Sequence, residues 1–408
     1  MHAGFPRATA TCFTRAGDAP SATVFGRQYA AHTARGPPGS RYTVIPFFAG
    51  HNAQLAGGRF AGTVSDAEIT LVTHLSVSRL PRLAALAREW GGPLSAALFV
   101  SPVESDSALC ESPLVAVASL RNVSVHLVVD SSGAKPAKGG VPYPINLLRN
   151  EATAYAATHL VFMLDVDFQP SHGLHATLLH SPEYAHVWRN AGHRLAFVLP
   201  AFQYKVTCPC ANDSTAVVLA AGNMRVFGSQ PHRCIPVPGS KAALVVALRH
   251  RWATPFHAHF AGHLFTDNAR WLREAAPYFV AWGFGFEPYV LLNRSLPGAP
   301  AYDTRFVDRG MNKVAYTAVL AARGFRFVVL PGAFVAHAWE SRAAERARRR
   351  PHNMTRAKEI YALVMREEAA IAAHGAPWQA AMNASSLDMY LPATPITQGL
   401  ASQDHGIH

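Results

Sequence analysis

Two aspartates spaced i, i+2, Asp165 and Asp167, stand directly after the apolar run Leu160-Val161-Phe162-Met163-Leu164. Carboxylates at that spacing can share a hard divalent cation, and such a cation can hold a diphosphate. A short apolar run of this kind reads as a fully buried strand, and the carboxyl end of such a strand is where open α/β sheets bind ligands. The plain alternative is that both acids are turn residues ending a strand, which a bare D-x-D also permits. Upstream, Ile145, Leu148, Ala152 and Tyr155 fall at helical spacing, and Pro144 suits a first helical turn. The predicted order is therefore helix, buried strand, acid pair.

Tyr143-Pro144-Ile145-Asn146-Leu147-Leu148-Arg149-Asn150-Glu151-Ala152, followed by Asp165-Val166-Asp167-Phe168-Gln169-Pro170, resembles the Y-P-x-N-x-L-R-N-x-A … D-x-D-F-x-P signature of glycosyltransferase family 49. That family includes the glucuronyltransferase domain of the LARGE-type enzymes and a β-1,4-glucuronyltransferase acting on matriglycan primers. Later blocks keep the family's order: Gly262-His263, Thr266-Asp267, Trp271, Phe286-Glu287-Pro288-Tyr289-Val290, Tyr302-Asp303-Thr304-Arg305-Phe306, Asn312-Lys313-Val314 and Val329 to His337. The resemblance implies an α/β chain of GT-A type. It would be a single Rossmann-like nucleotide-sugar-binding domain with a mixed sheet, holding donor in its N-terminal half and acceptor in its C-terminal half.

The same resemblance distributes roles. Asp165 and Asp167 become the metal pair, with His337 from a late strand completing the site. Oxygen ligands suit Mn²⁺ or Mg²⁺, and an imidazole favours Mn²⁺. The ion would neutralise charge on a departing diphosphate. Asn146, Arg149 and Asn150 would bind or frame the nucleotide sugar, Arg149 through its planar fork to a phosphate or uronate, unless it bridges within its helix. Glu287 is the first choice for general base toward the acceptor hydroxyl. It lies in Trp282-Gly283-Phe284-Gly285-Phe286-Glu287, where glycines allow close approach and Trp282 and Phe286 could stack on a sugar. Asp303 is the competing base, unless it holds Arg305 in an ion pair. His263, Asp267 and Trp271 are candidates for the acceptor side, Trp271 being alternatively core. One displacement by the acceptor gives a β linkage from an α-linked donor, with UDP-glucuronate as donor and a terminal xyloside on a glycan or glycoprotein as acceptor. Another UDP-sugar (xylose, galactose, N-acetylglucosamine) and a non-catalytic lectin-like module are the alternatives.

Composition bounds these readings. Half of the 408 residues are hydrophobic and 15% are charged, which excludes a solvated, disordered chain. The net charge of +12 favours anionic partners such as nucleotide diphosphates, uronic acids and acidic glycans. No aromatic-basic module of a nucleic-acid binder is present, so no nucleic-acid partner is expected. Five of twelve asparagines (Asn122, Asn212, Asn293, Asn353 and Asn383) lie in N-x-S/T sequons, where about one or two would arise by chance. With the family resemblance they imply the Golgi lumen or secretory pathway. The start reads as no signal peptide, no apolar run approaches the ~20 residues of a membrane span, and no anchor is visible. Five cysteines permit a loop-closing disulfide among Cys208, Cys210 and Cys234, not a disulfide scaffold. A homodimer is left open.

The elements that must position these groups follow from periodicity. Residues 1–65, rich in Gly, Ala, Pro, Ser and Thr, read as a loosely packed leader, residues 66–375 as the catalytic domain, and 376–408 as a tail. Strands are predicted over Ile69–Thr73, Leu94–Val100, Val123–Val129, Leu195–Leu199 and Phe325–Leu330. Helices are predicted after a Ser78 cap with a Leu83, Leu86, Ala87, Trp90 face, over Val314–Arg323 and over Thr355–His374. Ser341–Arg350 reads as a basic helical stretch. The alternation of strand and helix indicates a parallel sheet.

Overall fold

The computed structural model describes residues 22–24, 27–29, 41–50, 68–101, 122–130, 141–182, 184, 193–204, 238–258, 260–338 and 353–374. The cysteine cluster, the basic stretch 341–350 and the tail 376–408 lie outside them. Strands β1 (Ala22–Val24) and β2 (Arg27–Tyr29) form a separate antiparallel pair. The main sheet has nine strands: β3 (Tyr42–Gly50), β4 (Ile69–Ser76), β5 (Leu94–Val100), β6 (Val123–Asp130), β7 (Leu160–Met163), β9 (Leu195–Leu199), β12 (Tyr278–Val280), β13 (Tyr289–Asn293) and β14 (Arg326–Val329). Their order is β12-β14-β9-β13-β7-β4-β5-β6-β3. A four-stranded sheet ordered β11-β10-β15-β8 stands beside it, built from β8 (Phe168–Pro170), β10 (Ala201–Tyr204), β11 (Ala253–Pro255) and β15 (Val335–Ala338).

Alternation along each central strand sorts side chains onto two cores. Leu160, Phe162 and Leu164 face one core with Leu83, Leu86 and Trp90 of α1 (Leu80–Trp90). Val161 and Met163 face the other, with Leu148 and Ala152 of α2 (Ile145–Ala154). A period of two can do this only in a strand covered on both sides. Each large apolar side chain so buried contributes roughly 1.5–3 kcal/mol. Helices α3 (Leu174–His180), α4 (Lys241–Arg249) and α5 (Asn268–Arg273) pack around these cores. Helix α6 (Asn312–Ala322) is buried along most of its length because α7 (Met354–Ala373) covers its outer side through Ala357, Ile360 and Val364.

The α/β reading with a mixed sheet holds, with two corrections. The leader boundary at residue 66 is crossed, since β3 pairs antiparallel with β6 and forms the sheet edge. Ser78 is not a cap: it lies inside a 3-10 turn, Val77–Arg79, and bonds Ser76. The predicted parallel stretch is present, with β4, β5 and β6 paired parallel, and the sheet is mixed beyond it. β13 runs antiparallel between β7 and β9, and β12 and β3 are antiparallel edges.

The edge strand is pinned by one histidine. At the β3 bulge Phe47 has a positive φ of 51°, and its N–H donates to Nδ1 of His126 at 2.9 Å. His126 is fully buried and its Nε2 meets Ser95 Oγ at 3.0 Å. Burial lowers its pKa from 6.5 to about 3, so the folded protein holds it neutral where the unfolded chain would take up a proton. The unfolded state therefore binds more protons between those two values, and stability falls there as pH is lowered, by about 1.4 kcal/mol per pH unit from this group. Urea midpoints measured as pH drops from neutrality should show that fall, and it should shrink in His126→Leu. An unchanged slope in the variant would remove His126 as a cause.

Candidate active site

The two acids do not share a face. Asp165 opens a turn closed by the Phe168 N–H on the Asp165 carbonyl at 3.0 Å, and Asp167 is the third residue of that turn. The extended run has ended, so i, i+2 no longer means the same side. Asp165 turns toward α2 and α6. Its Oδ1 lies 3.3 Å from both Arg149 Nη2 and His74 Nε2, and its Oδ2 takes the Tyr289 hydroxyl at 2.8 Å and Lys313 Nζ at 3.2 Å. Asp167 turns toward α1, where Arg79 Nη1 pairs with its Oδ1 and Arg82 Nη1 approaches the same oxygen at 3.0 Å. Its Oδ2 has no hydrogen-bond or ion-pair partner among the described residues.

The Asp165 cluster is strongly polarised. Burial alone would raise the Asp165 carboxyl, but Lys313, the hydrogen bond from His74 and the Arg149 charge hold it well below the usual carboxylate range. Burial pushes His74 down, so it stays neutral, with Nε2 donating to Asp165 and Nδ1 accepting from Tyr143 at 2.9 Å. Arg149 is 1% exposed, with both Nη atoms bonded and its buried Nε without a hydrogen-bond partner among the described residues. It donates to Asn146 Oδ1 and Asn312 Oδ1, and its guanidinium stacks 5.0 Å over the Tyr302 ring.

The antiparallel β13 brings the second half of the site here. Leu291 stands opposite Phe162, so the start of β13 lies at the end of β7. Tyr289 thereby reaches Asp165, and Glu287, two residues earlier, enters an adjacent pocket lined also by Leu199, Phe256, His263, Thr266 and Asn268. Glu287 is half-buried and makes no hydrogen bond or ion pair among the described residues. Burial raises its pKa, partly offset by Lys313 and Arg149. His263 is buried too, its Nε2 has no partner, and burial lowers its pKa to about 3. The loop carrying Glu287 is held tightly. The Thr317 hydroxyl donates to the Phe286 carbonyl at 2.6 Å, and a Cβ at Gly262 would stand 1.8 Å from the Gly285 carbonyl oxygen.

Several expected site residues are tied into the frame. Trp271 is fully buried with Nε1 on the Leu330 carbonyl, and Phe286 is buried against Phe265 and Phe327, so neither faces a ligand. Trp282 is half-buried and its Nε1 reaches Thr317 Oγ1 at 3.4 Å. Asp267 caps α5, accepting from the Arg270 N–H at 2.9 Å. Asn146 is buried and donates to the Asp303 carbonyl, while Asn150 clamps both backbone groups of Tyr302. Asp303 is committed to Arg305, which also grips Glu367 of α7. Burial would raise the Asp303 carboxyl, but the Arg305 hydrogen bonds prevail and lower it.

His337 sits on β15 opposite Phe168, the residue that follows Asp167 in the chain, with its ring 4.9 Å from that of Phe168. Among the described residues no three His, Cys, Asp or Glu side chains gather as a metal cage. His257, close to His263 in the chain, is exposed and stacked on Phe256. Sequence reasoning missed Arg79, Arg82, His74, Lys313 and Tyr289. Lys313 and Tyr289 lay in quoted blocks without a role. Arg79 and His74 stand at the carboxyl end of β4, and only the strand order reveals that β4 is next to β7.

A family model described as "Glycosyl-transferase for dystroglycan" matches residues 68–139 and 129–370. The chain is 34% identical over 282 residues to xylosyl- and glucuronyltransferase LARGE2s of Gallus gallus, covering 68% of this chain and 33% of that protein. It is 34% identical over 276 residues to xylosyl- and glucuronyltransferase LARGE2 of Homo sapiens, covering 66% and 32%. The chain thus spans about a third of the length of these curated relatives. A crystal structure of GalNAc-T7 with UDP, GalNAc and Mn2+ is 14% identical with a TM-score of 0.36 over 67% of this chain and 44% of that one, a likeness too slight to argue from.

Proposed function

The chain belongs to the family of glycosyl-transferases for dystroglycan, and from that premise we propose that it is an inverting, metal-dependent transferase of GT-A type. It moves glucuronic acid from UDP-glucuronate onto a glycan acceptor such as a terminal xyloside, forming a β linkage. The observation that carries this reading is Glu287, an uncommitted, half-buried carboxylate in a pocket that adjoins the Asp165 cluster through Tyr289. A single displacement needs a base on the side opposite the leaving group, and burial raises this carboxyl toward useful basicity.

The donor chemistry suits a divalent cation. Asp167 offers a free carboxylate oxygen, and the strand pairing of Phe168 with His337 sets an imidazole on the neighbouring strand. Asp165 joins them only by releasing Lys313 or Tyr289, since both of its oxygens are occupied. These three residues would hold Mn²⁺ or Mg²⁺, which when bound supplies Lewis-acid neutralisation of the leaving diphosphate. Within the chain itself, Arg149 holds the Asp165 carboxylate in place, Tyr289 orients it, and Glu287 takes the proton from the acceptor hydroxyl. His263 faces the same pocket with an unused ring nitrogen and suits an acceptor hydroxyl. Asp303 is the weaker base because Arg305 stabilises its charge.

The Golgi lumen or secretory pathway is the compartment that fits. Of the five sequons, Asn122 and Asn353 are exposed and Asn293 is half-buried, while Asn212 and Asn383 lie outside the described residues. Among the described residues no helix is long and apolar enough to cross a membrane.

The test is thermal stability with UDP, UDP-glucuronate, UDP-xylose, UDP-galactose and UDP-N-acetylglucosamine, each with and without Mn²⁺. A ligand at a hundred times its Kd adds about 2.7 kcal/mol to the folded state. A manganese-dependent rise greatest for UDP-glucuronate is the expected result. A rise with another sugar would change the product assigned, and no rise with any of them would end the enzyme reading.

A further inference from the structure

Lys313 stands where the two halves of the site meet. It lies in the first turn of α6, 15% exposed, with Nζ 3.2 Å from Asp165 Oδ2 and 3.3 Å from the Tyr289 hydroxyl, and 4.3 Å from the Tyr289 ring centre. Tyr289 also lines the Glu287 and His263 pocket, so Lys313 sits on the partition between that pocket and the acid pair. Its charge is felt at Asp165, Glu287 and His263 alike.

Two features separate this lysine from its neighbour Arg149. Arg149 is buried and held by Asn146, Asn312, Asp165 and the Tyr302 ring, and it already sets one positive charge against Asp165. Lys313 is the second cation on the same carboxylate, and Asp165 is its one carboxylate contact among the described residues. Its flexible stem lets the ammonium turn to another anion, which the framed guanidinium cannot do. A part-buried second cation is best compensated by a further anion.

The geometry of a single displacement says which anion. The leaving diphosphate belongs at the acid pair and the attacking hydroxyl at Glu287, so the transferred sugar must lie between them. We propose that Lys313 binds the carboxylate of a uronic acid in the donor and so selects UDP-uronates over neutral UDP-sugars. This inference rests on the nucleotide-sugar reading above and adds the residue that sets its specificity.

Isothermal titration of UDP, UDP-glucose and UDP-glucuronate against the native chain and Lys313→Met, with Mn²⁺ present, tests it. The native chain should bind UDP-glucuronate more tightly than UDP-glucose. In Lys313→Met the UDP-glucuronate affinity should fall by roughly 10- to 100-fold, the scale for removing one partner of a partly buried charge pair. UDP and UDP-glucose should change little, which also shows that the variant is folded. Lys313→Arg should keep part of the preference. Equal weakening of all three ligands would assign Lys313 to the diphosphate and overturn the uronate role. An unchanged preference in Lys313→Met, or no preference in the native chain, would overturn it as well. Failure of all three to bind the native chain would end the nucleotide-sugar reading itself, and this inference with it.

Discussion

Glu287→Gln is expected to lower kcat by about 10²- to 10⁴-fold while leaving UDP-sugar affinity nearly unchanged, the range general-base removal usually spans. The glutamine keeps the shape of the side chain and cannot accept the acceptor's proton. No ion pair is broken, because Glu287 has none among the described residues, so stability should hold or rise slightly on relief of a buried charge. Burial raises this carboxyl above its ordinary value. The native enzyme should therefore lose activity as pH falls through that raised pKa, earlier than an exposed glutamate would dictate, and the acid limb should vanish from the residual activity of the variant. Asp303→Asn provides the contrast. It loosens the Arg305 link to Glu367 on α7 and should cost stability rather than the chemical step. Near-native turnover by Glu287→Gln together with an inactive, folded Asp303→Asn would transfer the base to Asp303.

Asp165→Asn and Asp167→Asn should differ in kind, although their spacing suggests twins. Asp165 is the shared counter-ion of Arg149 and Lys313 and accepts from Tyr289 and His74. Removing one member of a buried ionic cluster leaves charge uncompensated, and a loss of about 3 kcal/mol of folding stability is expected, at the low end because the carboxyl is 28% exposed. Its pKa is lowered on folding, so this contribution is present above the ordinary carboxylate range and is lost as pH falls through the depressed value. Asp167 has 26% exposure and one open oxygen, so its replacement should leave the melting temperature nearly intact. Asp167→Asn should instead erase manganese-dependent stabilisation by UDP and reduce transfer by at least about 10³-fold, as expected for lost electrostatic stabilisation of a leaving group. Calorimetry of both variants, with and without UDP and Mn²⁺, separates the effects. Manganese-dependent stabilisation surviving in Asp167→Asn would remove Asp167 from the metal site.

Much of this was legible in the chain alone. Leu94–Val100 and Leu195–Leu199 are strands with the predicted limits, and the helix before Gly324 differs by only two residues at its start and one at its end. Apolar runs without alternation must be covered on both faces, and that local rule needs no knowledge of neighbours. The acid pair, Glu287 and His337 were legible as types within ordered blocks. That Trp271 and Phe286 are buried was not legible, because an aromatic residue in such a block reads alike whether it lines a site or fills a core. That Asp267 caps α5 was not legible, because a capping aspartate looks like any other acid.

What the sequence determined by itself is the inventory: buried strands, an amphipathic helix before the acid pair, and acids and a histidine of the right chemistry in family order. These follow from residue type and from contacts a few positions apart. Tertiary structure decided the rest. A turn after Met163 sends Asp165 toward Arg149 and Lys313 and Asp167 toward Arg79 and Arg82. The direction of β13 decided that Glu287 and Tyr289 meet the end of β7, because an antiparallel strand starts where its partner ends. Partners 124 and 148 residues from Asp165 in the chain cannot be read from spacing. Their meeting depends on which strands pair and in which sense, and that is set by the packing of both cores together.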